Sequence, residues 1–287
     1  MPDLTTFARK ISPPLLWRLA GFVKRMPGYW RLDRNDYLRF KKQLPGLPIH
    51  VNADVFVDTP EDLTAFIFWR NHGLEEPSST AEVADFLQLA EGRTALIDIG
   101  AQTGFVSALF ARSRPGTCRV LSCEPDPQIL PILRRARELN VGKQTDWQIE
   151  PGAISNAAGT LQMRLCNPLH DAYDAYARMD GTVEVQTKRL PDVVGALGWK
   201  PDLIKIDVES YEHEILMDSL PMLAETKPAL QLEVHWEFLR RRGRSGLDFL
   251  GPLAEMGYRG IRRPYRNLAQ WEKSSHTLLS RLSLRVE

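Results

Sequence analysis

Leu203 to Leu216 reads L-I-K-I-D-V-E-S-Y-E-H-E-I-L, and no other stretch constrains the chain as much. Ile204, Ile206 and Val208 alternate with Lys205, Asp207 and Glu209, and a helix-like run begins at Tyr211. That pattern predicts a strand that ends in carboxylates and turns into a helix. In an open parallel sheet, ligands sit in the crevice beyond the carboxyl ends of the strands. Asp207 and Glu209 fall there. Alone, such an acidic end does no more than cap the next helix. A second stretch, Asp98 to Gly104, points into the same crevice and shifts the reading toward a site.

Strand and helix patterns alternate on both sides of this segment, which predicts an α/β fold with a mostly parallel sheet. Ala95–Ile99, Arg119–Cys123 and Trp147–Ile154 read as strands, with helices over Phe105–Arg112 and Pro127–Asn140 between them. Thr160–Arg164 and Thr182–Thr187 read as an added pair, joined by a loop, Cys166 to Gly181, rich in aromatic and charged residues. Ala229–His235 is a further strand, a helix follows over Leu247–Met256, and Tyr258–Arg263 with Leu278–Val286 form a final antiparallel pair. Upstream, Ile49–Val57 reads as one strand and Pro60-Glu61-Asp62 opens a helix. The expected division is a helical extension with a short strand over residues 1–72 and a ligand-binding domain over 73–287.

A formal charge of +1 argues against nucleic acid as a partner. Basic residues do gather in residues 1–46, beside an apolar stripe of Leu15, Leu16, Leu19, Phe22 and Val23. Such a helix packs on its own domain more often than it lies on a membrane, so weak membrane-surface contact is the secondary expectation. Cys118, Cys123 and Cys166 have no metal-ligand spacing and suit a reducing compartment. With neither a secretory-signal pattern nor an apolar run of ~18 residues, the expectation is cytoplasmic. The sequence leaves the oligomeric state open.

Asp98-Ile99-Gly100-Ala101-Gln102-Thr103-Gly104 ends a strand with an acid and turns through two glycines into a helix. Glycines there let backbone approach a ligand closely. The dinucleotide fingerprint needs G-x-G-x-x-G, whereas this loop is G-x-x-x-G with an acid at its mouth, which suits a cationic ligand better than a pyrophosphate. Glu124, 26 residues after Asp98 and followed by Pro125, ends the second strand, where a carboxylate accepts hydrogen bonds from both ribose hydroxyls. With Ser155-Asn156 placed at the end of the third strand, the set describes a nucleoside with a positively charged tail.

D-I-G-A-Q-T-G, C-E-P-D, A-I-S-N and L-I-K-I-D-V-E-S-Y-E together resemble the S-adenosylmethionine-dependent FkbM-type methyltransferases, from about Gly73 to the C-terminus. The resemblance implies a class I (Rossmann-like) methyltransferase fold, a seven-stranded sheet whose last strand is antiparallel. It implies Asp98, Gly100, Gln102 and Gly104 around the methionine part of the cofactor, Glu124 and Pro125 at the ribose, and Ser155 and Asn156 near the adenine. Glu76 matches an acid that the family carries beside its cofactor, and Asp207 borders the same site. Gln102 stands where Asn is usual, and Ser210 where Gly is usual.

Because a sulfonium already activates the methyl group, the cofactor carries the hard chemistry. The protein holds the acceptor in line with it, and a hydroxyl acceptor also needs a base. Asp207 and His235 are the candidate bases, with Glu209 orienting the acceptor, a small molecule or glycan-type hydroxyl on the strength of the resemblance. Alternatively, Asp207, Glu209, Glu233 and His235 hold a divalent ion. The rival functions are a non-catalytic cofactor-binding scaffold and a nicotinamide-dependent oxidoreductase, the latter disfavoured by the missing third glycine.

Overall fold

A computed structural model describes residues 47–52, 55–62, 65, 69, 77–114, 116–164, 182–262, 266–277 and 280–287. The expected N-terminal basic helix, Glu76, Cys166 and the 166–181 loop lie outside the described residues.

The chain enters through a hairpin, β1 (Leu47–Asn52) and β2 (Val55–Thr59), paired antiparallel from Leu47↔Thr59 to Asn52↔Val55. The single strand expected over Ile49–Val57 is thus two, paired up to Asn52↔Val55; the sequence there, Asn52-Ala53-Asp54, contains two turn-forming residue types. Helix α1 (Pro77–Ala90) leads to β3 (Ala95–Ile99), α2 (Phe105–Arg112), β4 (Cys118–Cys123), α3 (Leu130–Asn140) and β5 (Thr145–Glu150). The third expected strand also divides. Pro151 lacks an N–H and Gly152 packs close to Gln186, so β5 stops at Glu150 and β6 (Ala153–Ser155) joins a separate sheet. That three-stranded sheet, in order β6-β8-β7, contains β7 (Gly159–Arg164) and β8 (Thr182–Arg189), the expected antiparallel pair.

After α4 (Leu190–Ala196) come β9 (Leu203–Ile206), α5 (Glu212–Thr226) and β10 (Ala229–Val234). Then follow α6 (Trp236–Arg241), α7 (Leu247–Glu255), β11 (Tyr258–Gly260), α8 (Leu268–Ser274) and β12 (Ser280–Val286). The main sheet has seven strands in the order β11-β12-β10-β9-β3-β4-β5. Only β12, the last in the chain, runs antiparallel to its neighbours β10 and β11. Both the strand count and the antiparallel last strand match expectation.

Helices cover both faces of this sheet. Phe86 of α1, Phe105 and Phe110 of α2 and Leu133 of α3 pack with Leu96 and Leu203 on one side. Ile215 of α5, Phe249 of α7 and Trp271 of α8 pack with Ile97, Ile206 and Leu230 on the other. Val57 and Trp69, from the N-terminal side of residue 72, share the first cluster. Each such large side chain contributes about 1.5–3 kcal/mol by leaving water, so the two layers fix how the strands stack.

The chain winds outward through β3, β4 and β5, then returns to lay β9 against the opposite side of β3. A sheet of this kind opens its ligand crevice where the winding reverses, here at the carboxyl ends of β3 and β9.

Candidate active site

Beyond β3 the backbone turns through Gly100 (φ 74), Gln102 (φ 49) and Gly104 (φ 88). The N–H groups of Gly100 and Ala101 both donate to Cys123 O, at 3.0 and 3.1 Å, which ties the loop to the end of β4. A Cβ on Gly100 would stand 1.9 Å from Asp207 O. Loop and β9 end are therefore in backbone contact. Trp69 Nε1 donates to Thr103 Oγ1 at 2.8 Å and pins the loop from the other side.

Glu124 is buried at the next strand end, where one carboxylate oxygen accepts Gln102 N–H (2.8 Å) and the other Asp126 N–H (2.9 Å). Burial pushes its carboxyl up to about 7 against the pull of those two donors. Each oxygen keeps a lone pair for a further donor.

Asp98 is fully buried beneath the loop rather than at its mouth, a correction to the sequence expectation. Register explains it, because Asp98 sits between Ser122 of β4 and Lys205 of β9 in one row across the sheet. That row continues to Gln231 of β10 and Ser283 of β12, all buried on the α1/α2 face. Ser107 Oγ donates to Asp98 Oδ2 at 2.7 Å, and Trp147 Nε1 donates to Ser122 Oγ at 2.8 Å. Ser122 must then donate to Ser107, 2.7 Å away, which completes a relay. Lys205 Nζ donates to Gly100 O at 2.9 Å and stands 3.5 Å from Asp98 and 3.4 Å from Asp207. Burial disfavours its charge, but Asp207, Asp98 and Glu233 together raise its pKa. An unpaired buried charge is costly. Lys205 resolves that for both aspartates.

Asp207, half-buried at the end of β9, has its pKa lowered because Lys205 and His235 outweigh burial. The next residues turn sharply, Glu209 at φ 52 and Ser210 at φ 91. His235, at the end of β10, is buried and stacks on Phe238. Its Nδ1 lies 2.5 Å from Oε1 of the fully buried Glu212. Its Nε2 faces Glu209 (3.4 Å), Glu233 (3.8 Å) and Asp207 (4.0 Å). Burial opposes the imidazolium, but Glu212, Asp207 and Glu209 overcome it and push the pKa up to about 9. The surrounding carboxylates therefore favour the imidazolium. Burial and Asp207 push Glu233 up to about 8, while Arg281 bridges Glu233 (3.2 Å) to Glu82 of α1 (3.0 Å).

Asp207, Glu233 and His235, three of the four residues considered for a divalent ion, offer ligand atoms within 4.8 Å of one another; Glu209 is not in that group. Each already has a partner of its own: Lys205 at Asp207, Arg281 at Glu233 and Glu212 at His235. The geometry thus favours a network of mutually paired side chains.

Contacts link Gly100 to Asp207, Gln102 to Glu124, and His235 to Asp207 and Glu209, with Asp98 buried beneath the loop, whereas Gly104 packs toward Leu133, Ala136 and Trp147. Pro125 is half-buried in the turn after Glu124. Ser155 and Asn156 do not end the third core strand; they end β6, where Ser155 Oγ donates to Asn156 Oδ1 at 3.3 Å. The sequence reading missed Lys205 and Glu212 as parts of the site. For a nucleoside sulfonium the donor set fits. Glu124 retains acceptor capacity, Gln102 Oε1 is buried without a partner among the described residues, and the loop leaves no side chain at Gly100.

The family model described as "Methyltransferase FkbM domain" matches residues 98–259. No curated protein matches the chain. Among solved structures, methyltransferase FkbM from Methylobacillus flagellatus is similar at 17% identity and TM-score 0.37, covering 69% of this chain. This chain spans 47% of that protein's length. A ribosomal protein L11 methylase from Lactobacillus delbrueckii subsp. bulgaricus shares 12% identity at TM-score 0.40, with 74% of this chain and 81% of that one covered. The O-methyltransferase TomG from Streptomyces achromogenes, solved with S-adenosylmethionine, shares 12% identity at TM-score 0.35, with 71% and 74% covered. Among the described residues, no helix is long and apolar enough to cross a membrane.

Proposed function

This chain belongs to the FkbM family of S-adenosylmethionine-dependent methyltransferases, and on that premise we propose that it methylates a hydroxyl oxygen of a small-molecule or glycan-type acceptor. The bound cofactor supplies a methyl group already activated on a positively charged sulfur. In this reading Glu124 accepts the ribose hydroxyls, the Gly100–Gly104 loop lines the methionine side, and Ser155 and Asn156 lie toward the adenine. Glu76 follows the family resemblance alone.

Asp207 Oδ1 takes the proton of the acceptor hydroxyl. The carboxylates around His235 favour its imidazolium form, which makes it the weaker base of the two. It holds the acceptor side in place through Asp207 and Glu209 instead. Glu212 fixes the imidazole from behind, much as a buried carboxylate orients a catalytic histidine elsewhere. The contact between Gly100 and the Asp207 backbone carries the reading, because it sets the cofactor loop directly beside the proton-accepting carboxylate.

The test is transfer of a ¹³C-labelled methyl group from S-adenosylmethionine into a small-molecule and glycan extract of the native host. Carbon chemical shifts tell methyl on oxygen from methyl on nitrogen, sulfur or carbon. An O-methyl resonance that appears only with active protein is the expected result. Label arriving on another element overturns the choice of oxygen.

A further inference from the structure

Glu209 and Ser210 are consecutive non-glycine residues with left-handed backbone, φ 52 and φ 91. That conformation is unfavourable for a side-chain-bearing residue and persists only where surrounding contacts enforce it. The enforcing contacts come from the two ends of α6. At its start, His235 Nε2 lies 3.4 Å from Glu209 Oε2. At its end, Arg242 Nη1 donates to Ser210 O at 2.5 Å and to Ser210 Oγ at 3.2 Å. The same guanidinium grips Glu214 of α5 (Nη2 to Oε1, 2.7 Å) and lies 4.2 Å from the centre of the Tyr211 ring. Its two terminal nitrogens and its flat face thus join the turn at Ser210 and Tyr211 to the first turn of α5.

We infer that Arg242 is a positioning residue: it holds the 208–211 turn in its strained form, with the Ser210 hydroxyl as its handle, and so keeps Glu209 aimed at His235. This rests on the reading of Asp207, Glu209 and His235 as the acceptor side of the site. Ser210 is integral to the clamp, since its hydroxyl is an acceptor for Arg242 that a glycine would lack. A glycine at 210 would need no clamp, because it adopts positive φ freely.

The titration of His235, followed by NMR in the full-length protein and assigned with His235→Gln, reads the aim of Glu209 without donor or acceptor. Groups facing His235 are Asp207 and Glu209 from the end of β9, Glu212 of α5 and Glu233 of β10, with Phe238 of α6 on its ring face. Lys205 and Arg281 stand behind the carboxylates. Glu209→Gln lowers the His235 pKa by removing one of the charges that raise it. Arg242→Gln is expected to lower it to a similar extent, and the double variant no further than Glu209→Gln alone. Arg242→Lys, which keeps the charge but loses the fork, shifts it in the same direction and serves if Arg242→Gln folds poorly. Adding Ser210→Gly to Arg242→Gln restores most of the wild-type value. A His235 titration unmoved by folded Arg242 variants overturns the inference, as does a Ser210→Gly background that restores nothing. Binding of S-adenosylhomocysteine, measured on the same samples, tests the methyltransferase reading separately.

Discussion

Gly100→Ala is expected to abolish binding of S-adenosylmethionine and of its demethylated product, a loss of more than a thousandfold in affinity. That corresponds to upward of about 4 kcal/mol. The added carbon falls 1.9 Å from Asp207 O and 3.0 Å from Asp207 C, both backbone atoms that cannot swing aside. Position 100 is also at φ 74, where alanine is strained in any surroundings. Relief requires the loop and the end of β9 to part. Parting them breaks the Lys205 hydrogen bond to Gly100 O and shifts the Gln102 N–H that orients Glu124. Gly195→Ala is the control, because nothing lies within 4 Å of its added carbon and position 195 is helical. It should leave binding intact. Calorimetry with S-adenosylhomocysteine reads both variants, and nanomolar or micromolar binding retained by Gly100→Ala would mean the loop does not cradle the ligand.

Asp207→Asn is expected to slow methyl transfer by about 10²–10⁴-fold, the usual contribution of a positioned base, while cofactor affinity changes only a few-fold. Lys205 and His235 hold Asp207 as a carboxylate despite its half-burial, and an amide of the same shape cannot take up a proton. His235→Gln should cost less, since the surrounding carboxylates favour the imidazolium, which acts by charge and position. Initial rates of labelled-methyl transfer under saturating cofactor make the comparison. Equal rates for wild type and Asp207→Asn would remove Asp207 from the chemistry.

Much of this site was legible because strand ends announce themselves. Asp98, Glu124, Asp207 and His235 each close an apolar or alternating run, and an open sheet brings such ends together. Lys205 was not legible as a site residue, although it was seen in the alternation. Two of its partners are Asp98 and Gly100 O, the latter 105 positions away, and the β3–β9 register brings them within reach. The same register hid the fate of Asp98, whose neighbours Ser122 and Lys205 draw it under the loop. Glu212 looked like an ordinary acid in the first turn of a helix, where it suits the dipole. Its burial against His235 depends on how α5 meets the end of β10. Two strand boundaries were misread for a simpler reason. Apolar alternation runs straight through Pro151-Gly152 and Asn52-Ala53-Asp54, and masks the local turn signals those residues carry.

The claim on which the rest depends is that strand-end carboxylates and the glycine loop form one nucleoside-sulfonium site. Titration calorimetry of the wild-type protein with S-adenosylhomocysteine, and in parallel with NAD, tests it most directly. One-to-one binding of S-adenosylhomocysteine, with no heat from NAD, is the predicted result. No binding of S-adenosylhomocysteine, or NAD bound equally well, would contradict it.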